Sequence, residues 1–302
     1  MKYKRTLVTG AKGLIGSTIP TDFGPSSDEL NLMDFDQICD YIKSNQIDSI
    51  IHCAAKVGGI GANTNRPGEF FYSNIMINTN VLEAARVCGV DKVVSFMSTC
   101  VFPADAQYPL KPEQINAGEP HDSNYPYAYA KRMVDVMVRA YRAQYDSNFV
   151  TVIPCNAYGP RDNYNLESSH VVPAIMHKCY LAKRDGTDLN LWGTGQAYRE
   201  FMYSEDLGEI AQWTLENYDE PDPLIISPDE EISIDVIAQE IAWRMGFNGN
   251  IVYNNQLEGQ MRKPSDNSKL RALMPNFKFT PIEKGLQESI DWFVSNYEEC
   301  RK

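Results

Sequence analysis

The sequence contains no apolar run approaching the roughly 18 residues that a membrane-spanning helix needs. Its first five residues, Met1–Arg5, lead directly into a candidate strand, which is not the pattern of a secretory signal peptide. Internal repeats and low-complexity segments are also missing. These absences argue against a membrane protein and a repeat architecture, and we expect a soluble, cytoplasmic globular protein.

Positive charge is scarce relative to negative charge. The chain has 28 Lys and Arg against 40 Asp and Glu, which gives a formal net charge of −12. A broad electrostatic attraction to nucleic acid or to an anionic membrane is therefore not expected, and we predict neither as a partner. A phosphate-bearing ligand would need cationic side chains placed locally around it.

The seven cysteines lack the C-x-x-C spacing of redox and zinc sites, and their number is odd. We expect reduced thiols, most of them buried as small hydrophobic side chains, and no metal site. A cysteine with a chemical role must therefore be recognised by its position.

Short apolar runs alternate with amphipathic stretches, which is typical of a parallel sheet whose strands are connected by helices. The predicted strands are 5–9, 48–54, 92–97 and 148–153, followed by a helix over 171–182 and a short strand at 189–192. We predict an α/β fold: a Rossmann-type doubly wound parallel sheet with a smaller α/β substrate-binding lobe. The larger domain, with the parallel sheet, is predicted to comprise 1–160 and about 196–228, and the smaller one about 161–195 and 229–302.

The first predicted strand leads into a glycine-rich turn, Thr9-Gly10-Ala-Lys-Gly13-Leu-Ile-Gly16. Such a turn lets backbone approach a pyrophosphate at a helix N-terminus, so it indicates a dinucleotide. The acidic residue usual about 20 positions later has no clear equivalent. Because Pro20 and Pro25 interrupt the next segment, we expect a short first helix and almost no second strand. Lys12 and Ser27 favour a 2′-phosphate and hence NADPH (NADP+), although Lys12 could be a solvated turn lysine.

Tyr127 and Lys131 lie four residues apart in a predicted helix whose start is marked by Asn124, so they share one face. A lysine ammonium near the phenol favours the phenolate and lowers the phenol pKa. Tyr127 can then deliver a proton to a carbonyl as hydride arrives. Ser98, which follows the strand predicted at 92–97, can hold the same carbonyl oxygen.

The same helix carries two other tyrosines, Tyr125 and Tyr129, but neither has a lysine four residues later. Its remaining side chains are apolar over a wide arc, with Val134 on one side and Val136 on another. One side can cover the sheet while the other meets a second subunit, so we expect a symmetric homodimer. Burial under the chain's own loops is the alternative.

Cys100 follows Ser98 by two residues, and His170 lies at the entry to the helix predicted over 171–182. A thiol, with a free pKa of about 8.5, can remove a proton from carbon if a cation or dipole lowers that pKa. An imidazole can return a proton from the opposite face. The alternatives are a thiol that fills the core and a capping or surface histidine.

Five motifs are specific enough to indicate a family. They are Ala-Ala-Lys-Val-Gly-Gly-Ile (54–60), Ser-Thr-Cys-Val-Phe-Pro (98–103), Ser-His-Val-Val-Pro (169–173), Trp-Gly-Thr-Gly (192–195) and Arg-Glu-Phe (199–201). They closely resemble the GDP-L-fucose synthases, which are dual-function extended short-chain dehydrogenases/reductases. The resemblance covers essentially the whole chain in order.

This resemblance implies that Cys100 and His170 act as base and acid at the sugar, beside the catalytic Ser98, Tyr127 and Lys131. The expected contacts to the GDP-sugar are Lys178, Trp192, Arg199 and Asp266. The expected contacts to the cofactor are Gly10, Lys12, Gly13, Leu14, Ile15, Gly16, Ala54, Ala55, Lys131, Pro154, Asn156, Ala157 and His170. Lys178 stands where the family is expected to have arginine, so it supplies charge without a bidentate fork.

In a 4-keto sugar both C3 and C5 are α to the carbonyl, so removing either proton gives an enolate that Ser98 and Tyr127 can stabilise. The resemblance therefore predicts conversion of GDP-4-keto-6-deoxy-D-mannose to GDP-L-fucose by 3,5-epimerisation and NADPH-dependent reduction. An epimerase-reductase for a related sugar, such as one that forms GDP-L-colitose, stays open, as does a non-catalytic cofactor-sensing protein. A 4,6-dehydratase is disfavoured because Thr99-Cys100 stands where an acidic pair is expected.

Overall fold

Strands and helices alternate along the chain in the structure, a computed structural model that describes residues 2–256 and 260–302. The strands are β1 (Thr6–Thr9), β2 (Ser49–His52), β3 (Lys92–Phe96), β4 (Asn148–Pro154), β5 (Asn156–Tyr158), β6 (Leu189–Leu191), β7 (Tyr198–Arg199), β8 (Phe201–Tyr203), β9 (Leu224–Ile226), β10 (Ile232–Ser233) and β11 (Ile251–Tyr253). The α-helices are α1 (Phe35–Ser44), α2 (Ile60–Asn65), α3 (Pro67–Val87), α4 (Tyr125–Tyr145), α5 (Val171–Asp185), α6 (Ser204–Asn217), α7 (Ile234–Arg244), α8 (Ser268–Leu273) and α9 (Ile282–Ser295).

The central sheet has five parallel strands in the order β1-β2-β3-β4-β9. Alternate side chains of each strand point to opposite faces, and both faces are apolar. Leu7 and Val93 pack in the layer that contains α1, α3 and α4, whereas Val8 and Val94 pack in the layer of α6 and α8. Burial on both faces explains the continuous apolar runs and confirms the predicted doubly wound α/β fold.

A further hydrophobic cluster forms around α5, α7 and α9, with Ile175, Ile241 and Phe293 at its centre. Two small strand pairs border it: β11 runs parallel to β6, and β10 runs antiparallel to β7. Helix α8 lies elsewhere, because Leu270 packs in the layer beneath β9. The domain boundaries expected from the sequence stay a prediction, and α8, although within 229–302, contacts the central sheet.

The segment after the glycine turn is even shorter in regular structure than expected. A 3₁₀ turn at Gly16–Thr18 takes the place of the predicted short first helix. Pro20 disfavours helical backbone at the residue before it, and Ile19 is extended, with φ −99° and ψ 109°. The strand that would follow this helix, before α1, is reduced to one bridge between Leu7 and Phe23, as the sequence indicated.

Across the described part of the chain, no helix is long and apolar enough to cross a membrane. All seven cysteines are unpaired; Cys39, Cys155, Cys179 and Cys300 are buried, and Cys100 is among the three that are partly exposed. Within the same described residues, no group of three or more His, Cys, Asp or Glu side chains could hold a metal ion.

Candidate active site

A cavity of about 950 Å³ opens at the carboxyl ends of the central strands. The ends of β1 to β4 bring Gly10, Ala54, Ser98 and Pro154 to its wall, because the carboxyl ends of parallel strands share one edge of a sheet. All of the residues predicted to contact the cofactor line it, as do the five predicted catalytic residues. One cavity therefore contains both sets of side chains.

Cations are concentrated in this cavity although the chain carries a net charge of −12. Among the described residues its wall includes eight basic side chains and a single acid: Lys12, Lys56, Lys131, Arg161, Lys178, Arg199, Lys263 and Arg301, with Asp162. Burial raises the pKa of Asp162 to about 7, so this carboxyl is only partly charged at neutral pH. The cavity is therefore suited to a ligand with several negative charges.

The glycine turn is closed by backbone contacts that a side chain would block. Gly10 has φ +72°, and a Cβ there would lie 3.0 Å from the backbone of Ala54. A Cβ on Gly16 would lie 2.3 Å from the carbonyl oxygen of Gly10. Lys12 and Gly13 lie exposed at the cavity wall beside this turn. An accessible backbone with a lysine next to it fits the diphosphate of a dinucleotide.

Tyr127 and Lys131 point from buried positions on α4 into the cavity. Lys131 Nζ donates to the carbonyl oxygen of Phe96 at 2.8 Å, and the Ser98 hydroxyl forms a hydrogen bond with the phenol. Burial raises the pKa of Tyr127, the Cys100 thiol raises it further, and the Ser98 hydrogen bond lowers it. Burial also lowers the pKa of Lys131 to about 8.

This arrangement corrects the expectation that Lys131 lowers the pKa of the Tyr127 phenol. The ammonium is bound to a backbone carbonyl, and burial of the phenol outweighs any nearby positive charge. Tyr127 is therefore a protonated phenol at neutral pH, which is the form that a proton donor needs.

The two competing tyrosines of α4 lie away from the cavity. Tyr125 and Tyr129 pack edge to face, with ring centroids 5.0 Å apart, and neither lines the cavity wall. Arg132 lies over the Tyr129 ring. Tyr127 is thus the tyrosine of this helix that can reach a bound ligand.

Cys100 lies in a 3₁₀ turn, Thr99–Val101, directly after Ser98. The Ser98 hydroxyl oxygen accepts a hydrogen bond from the Cys100 backbone N–H at 3.3 Å, which fixes the turn. The amide Nδ2 of Asn124 donates to Cys100 Sγ at 2.9 Å. The thiol is therefore held at the cavity wall by polar contacts, unlike a cysteine that only fills the core.

His170 occupies the N-cap position of α5, but its side chain makes no capping hydrogen bond and lines the cavity. The imidazole is open to the cavity on one side and surrounded by protein on the others. Its partial loss of solvent lowers its pKa below the usual value. It is consequently neutral at pH 7 without a ligand. A role as an acid requires that a ligand first favour its charged form.

The motif at 54–60 supports the loop that precedes His170. Gly59 N donates to the carbonyl oxygen of Ser168 at 2.9 Å, and a Cβ on Gly59 would lie 2.5 Å from the Ser169 carbonyl oxygen. Asn63 in turn donates from Nδ2 to the Gly58 carbonyl oxygen at 2.7 Å. Gly59 is needed because two backbone segments touch here, and a Cβ on Gly58 would lie 2.9 Å from the Ala62 side chain.

Three of the four predicted sugar contacts line the cavity, but Asp266 does not. Lys178 Nζ lies 4.6 Å from the centroid of the Trp192 ring, and burial lowers the pKa of this lysine. Asp266 instead accepts a hydrogen bond from Ser268 N at 3.0 Å and lies 3.9 Å from Lys111 Nζ. Its carboxylate is used at the start of α8, so the structure does not bring it to the cavity.

Two residues near Cys100 at the cavity wall were not identified as functional from the sequence. Asn124 was recognised only as a marker of the helix start, and Lys263 carried no prediction. Burial lowers the pKa of Lys263, while the Cys100 thiol raises it. The only sequence signal for Lys263 is its place three residues before Asp266.

Residues 6–227 match the NAD dependent epimerase/dehydratase family. The chain is 44% identical over 315 residues to the GDP-L-fucose synthase of Dictyostelium discoideum, which covers 99% of this chain and 98% of that protein. It is 33% identical to the GDP-L-colitose synthase of Yersinia pseudotuberculosis, which covers 96% and 98% respectively. A crystal structure of a GDP-L-fucose synthetase from Naegleria fowleri bound to NADP has a TM-score of 0.92 and 38% identity, with 99% and 95% covered.

The chain therefore belongs to the NAD-dependent epimerase/dehydratase family. Within that family, its full length is similar to the GDP-L-fucose synthases in both sequence and fold. The resemblance inferred from the five sequence motifs is confirmed by these relatives.

Proposed function

We propose that this protein is an epimerase-reductase that converts GDP-4-keto-6-deoxy-D-mannose to GDP-L-fucose with NADPH. One observation carries the proposal: Ser98, Tyr127 and Lys131 line the same cavity as Cys100 and His170. A reductase alone needs only the first set, whereas inversion at carbon needs a base and an acid. The names of the two similar fucose-forming enzymes support the sugar.

NADPH would be held by the glycine turn, by Ala54 and Ala55, and by the segment from Pro154 to Ala157, with Lys12 beside a phosphate. When bound, it supplies the hydride that reduces the sugar at C4. The NADP found in the Naegleria fowleri structure supports the 2′-phosphorylated cofactor over NADH.

In the epimerisation, Cys100 as thiolate takes the proton from C3 or C5, and the C–H electron pair moves into the carbonyl. The resulting enolate oxygen accepts hydrogen bonds from Ser98 and Tyr127. His170 then returns a proton to the opposite face of the carbon. The diphosphate of the ligand favours the charged imidazole, which counteracts the effect of burial on its pKa.

In the reduction, Tyr127 gives its phenolic proton to the sugar O4 as hydride reaches C4. Lys131, which donates to the Phe96 carbonyl oxygen and lines the same cavity, would hold the cofactor beside the phenol. Lys178, Trp192 and Arg199 line the cavity where the GDP moiety would be held. Their two cations offset the charge of the diphosphate.

The direct test is an assay of the purified protein with GDP-4-keto-6-deoxy-D-mannose and either NADPH or NADH. We expect NADPH to be consumed in equal amount to the GDP-L-fucose formed, and NADH to be used less efficiently. Binding of NADPH without its consumption would indicate a cofactor-sensing protein and contradict the proposal. The measurements are nicotinamide absorbance and chromatographic identification of the product.

A second candidate is an epimerase-reductase that forms GDP-L-colitose, which the Yersinia pseudotuberculosis relative favours. Its 3-deoxy substrate needs a single inversion, and the same base and acid can perform it. The ratio of kcat/KM for the two keto-sugars distinguishes the candidates. We expect the substrate that retains the C3 hydroxyl to be preferred.

We also infer that the protein is a symmetric homodimer. The long helices α3 and α4 pack together and expose apolar side chains, among them Phe71 (42%), Tyr72 (59%) and Val136 (45%). A contiguous apolar patch on these helices would be typical of an interface. Light scattering at micromolar concentration should give twice the chain mass of 34.2 kDa, and Val136→Glu should reduce it. A monomeric mass for the unsubstituted protein would contradict the dimer.

A further inference from the structure

The side chain of Asn124 is used in an unusual way for its position. It occupies the N-cap of α4, yet it makes no capping hydrogen bond. Asparagine at this position normally accepts a hydrogen bond from the first turn of the helix and stabilises it. Here its Nδ2 instead donates to Cys100 Sγ at 2.9 Å. The chain thus forgoes a stabilising contact and places the amide on the thiol.

The other end of the same amide is also informative. Asn124 Oδ1 is buried and, within the described residues, has no hydrogen-bond partner. A buried acceptor without a partner is costly, so its presence calls for a reason. The amide has a donor at one end and an acceptor at the other, whereas the thiol is a donor when protonated and an acceptor when ionised. Rotation of the amide lets one side chain match both forms.

Other groups face Cys100 from the surrounding elements. Lys263 approaches from the loop before α8, and its positive charge attracts a thiolate. Tyr127 approaches from α4, and its phenolate would repel one. The Ser98 hydroxyl oxygen accepts from the backbone N–H of Cys100 rather than from the sulfur. Among the described residues around the thiol, Asn124 is therefore the one with a hydrogen bond aimed at the sulfur.

We propose that Asn124 is a positioning residue for Cys100, which donates its amide N–H to the thiolate and turns to accept the S–H when the sulfur is protonated. This inference rests on the proposed function, because it assigns Asn124 to the base of the epimerisation. The proton taken from the sugar carbon forms the S–H bond, and the amide rotates without exchanging a proton itself. The side chain stabilises the ionised form before reaction and fixes the direction of the sulfur.

The inference is tested by measuring how fast iodoacetamide alkylates Cys100 across a range of pH, with the modified peptide quantified by mass spectrometry. In Asn124→Ala we expect alkylation at pH 7 to fall about tenfold, because the thiolate loses the hydrogen bond that stabilises it. In the isosteric Asn124→Asp a carboxylate faces the sulfur, so the rate should fall further. Asp122→Ala is the matched control, because Asp122 is exposed in the 3₁₀ turn Asp122–Asn124 that precedes α4 and does not line the cavity.

Each result bears on the inference. Alkylation profiles for Asn124→Ala and Asn124→Asp that coincide with the control would overturn it. Unchanged NADPH affinity verifies that the variants are folded, and Asn124→Asp serves if the alanine variant is not. Deuterium uptake at C3 and C5 of the keto-sugar should also fall about tenfold, in proportion to the thiolate fraction. A shifted alkylation profile with normal uptake would support Asn124 as a positioning residue while contradicting Cys100 as the base, so the two proposals fail separately.

Discussion

Replacing Tyr127 by phenylalanine is expected to reduce NADPH oxidation with the keto-sugar by about 10²–10⁴-fold, the usual contribution of a positioned proton donor. The substitution removes one hydroxyl from a ring that is 9% exposed, so the packing around α4 should be kept. Without the phenol, the oxygen at C4 has no acid to protonate it as hydride arrives. The enolate can still form beside Ser98, so deuterium from the solvent should continue to enter C3 and C5.

The two readouts are measured on the same protein, by nicotinamide absorbance and by mass spectrometry of the sugar. Tyr129→Phe is the matched control, because Tyr129 lies on the same helix but not at the cavity wall. It should retain both activities. Full NADPH oxidation by Tyr127→Phe would refute the assignment of Tyr127 as the proton donor.

Replacing Cys100 by serine is expected to reduce deuterium uptake at C3 and C5 by about 10²–10⁴-fold, the usual contribution of a general base. The hydroxyl is similar in size to the thiol but is far harder to ionise, so the base is lost while the shape of the site is kept. The Asn124 amide can still donate to the new oxygen. Formation of GDP-L-fucose should fall with the uptake, because reduction alone leaves C3 and C5 uninverted.

Cys88→Ser provides the control, since Cys88 is a partly exposed thiol at the end of α3, outside the cavity wall. Its uptake and its product yield should match those of the unsubstituted protein. Undiminished uptake in Cys100→Ser would exclude Cys100 as the base and leave His170 to be tested for that role.

The central sheet was predictable because each strand is buried on both faces. A continuous apolar run such as 92–97 is enough to identify a buried strand. The observed strand, Lys92–Phe96, differs from the prediction by one residue. The short strands that border the hydrophobic cluster around α5, α7 and α9 were not predictable in the same way. Tyr198–Arg199 becomes a strand only because Ile232–Ser233 lies beside it, and pairing between distant segments leaves no local pattern.

The site was predictable where position along a strand or helix determines it. Helix periodicity places Tyr127 and Lys131 on one face of α4. The end of β3 places Ser98 at the edge of the sheet that this face meets. The pKa shifts were not predictable, because they depend on burial: Lys131 is bound to the Phe96 carbonyl oxygen and leaves the phenol protonated. The misplacement of Asp266 has a similar origin, since only the fold shows that α8 turns away from the cavity.

The segment between the glycine turn and α1 lacks the helix and the strand expected there, and this affects how the protein can evolve. The wall of the cavity beyond the glycine turn is formed by a loop that includes 25–27 and 30–33, and Lys12, Ser27 and Asn31 lie exposed there. Substitutions of exposed residues usually change stability by less than about 0.5 kcal/mol. Exchange of Lys12 and Ser27, which are predicted to favour the 2′-phosphate, is therefore expected to cost almost nothing in folding. We expect cofactor preference in this chain to drift more readily than the apolar layers.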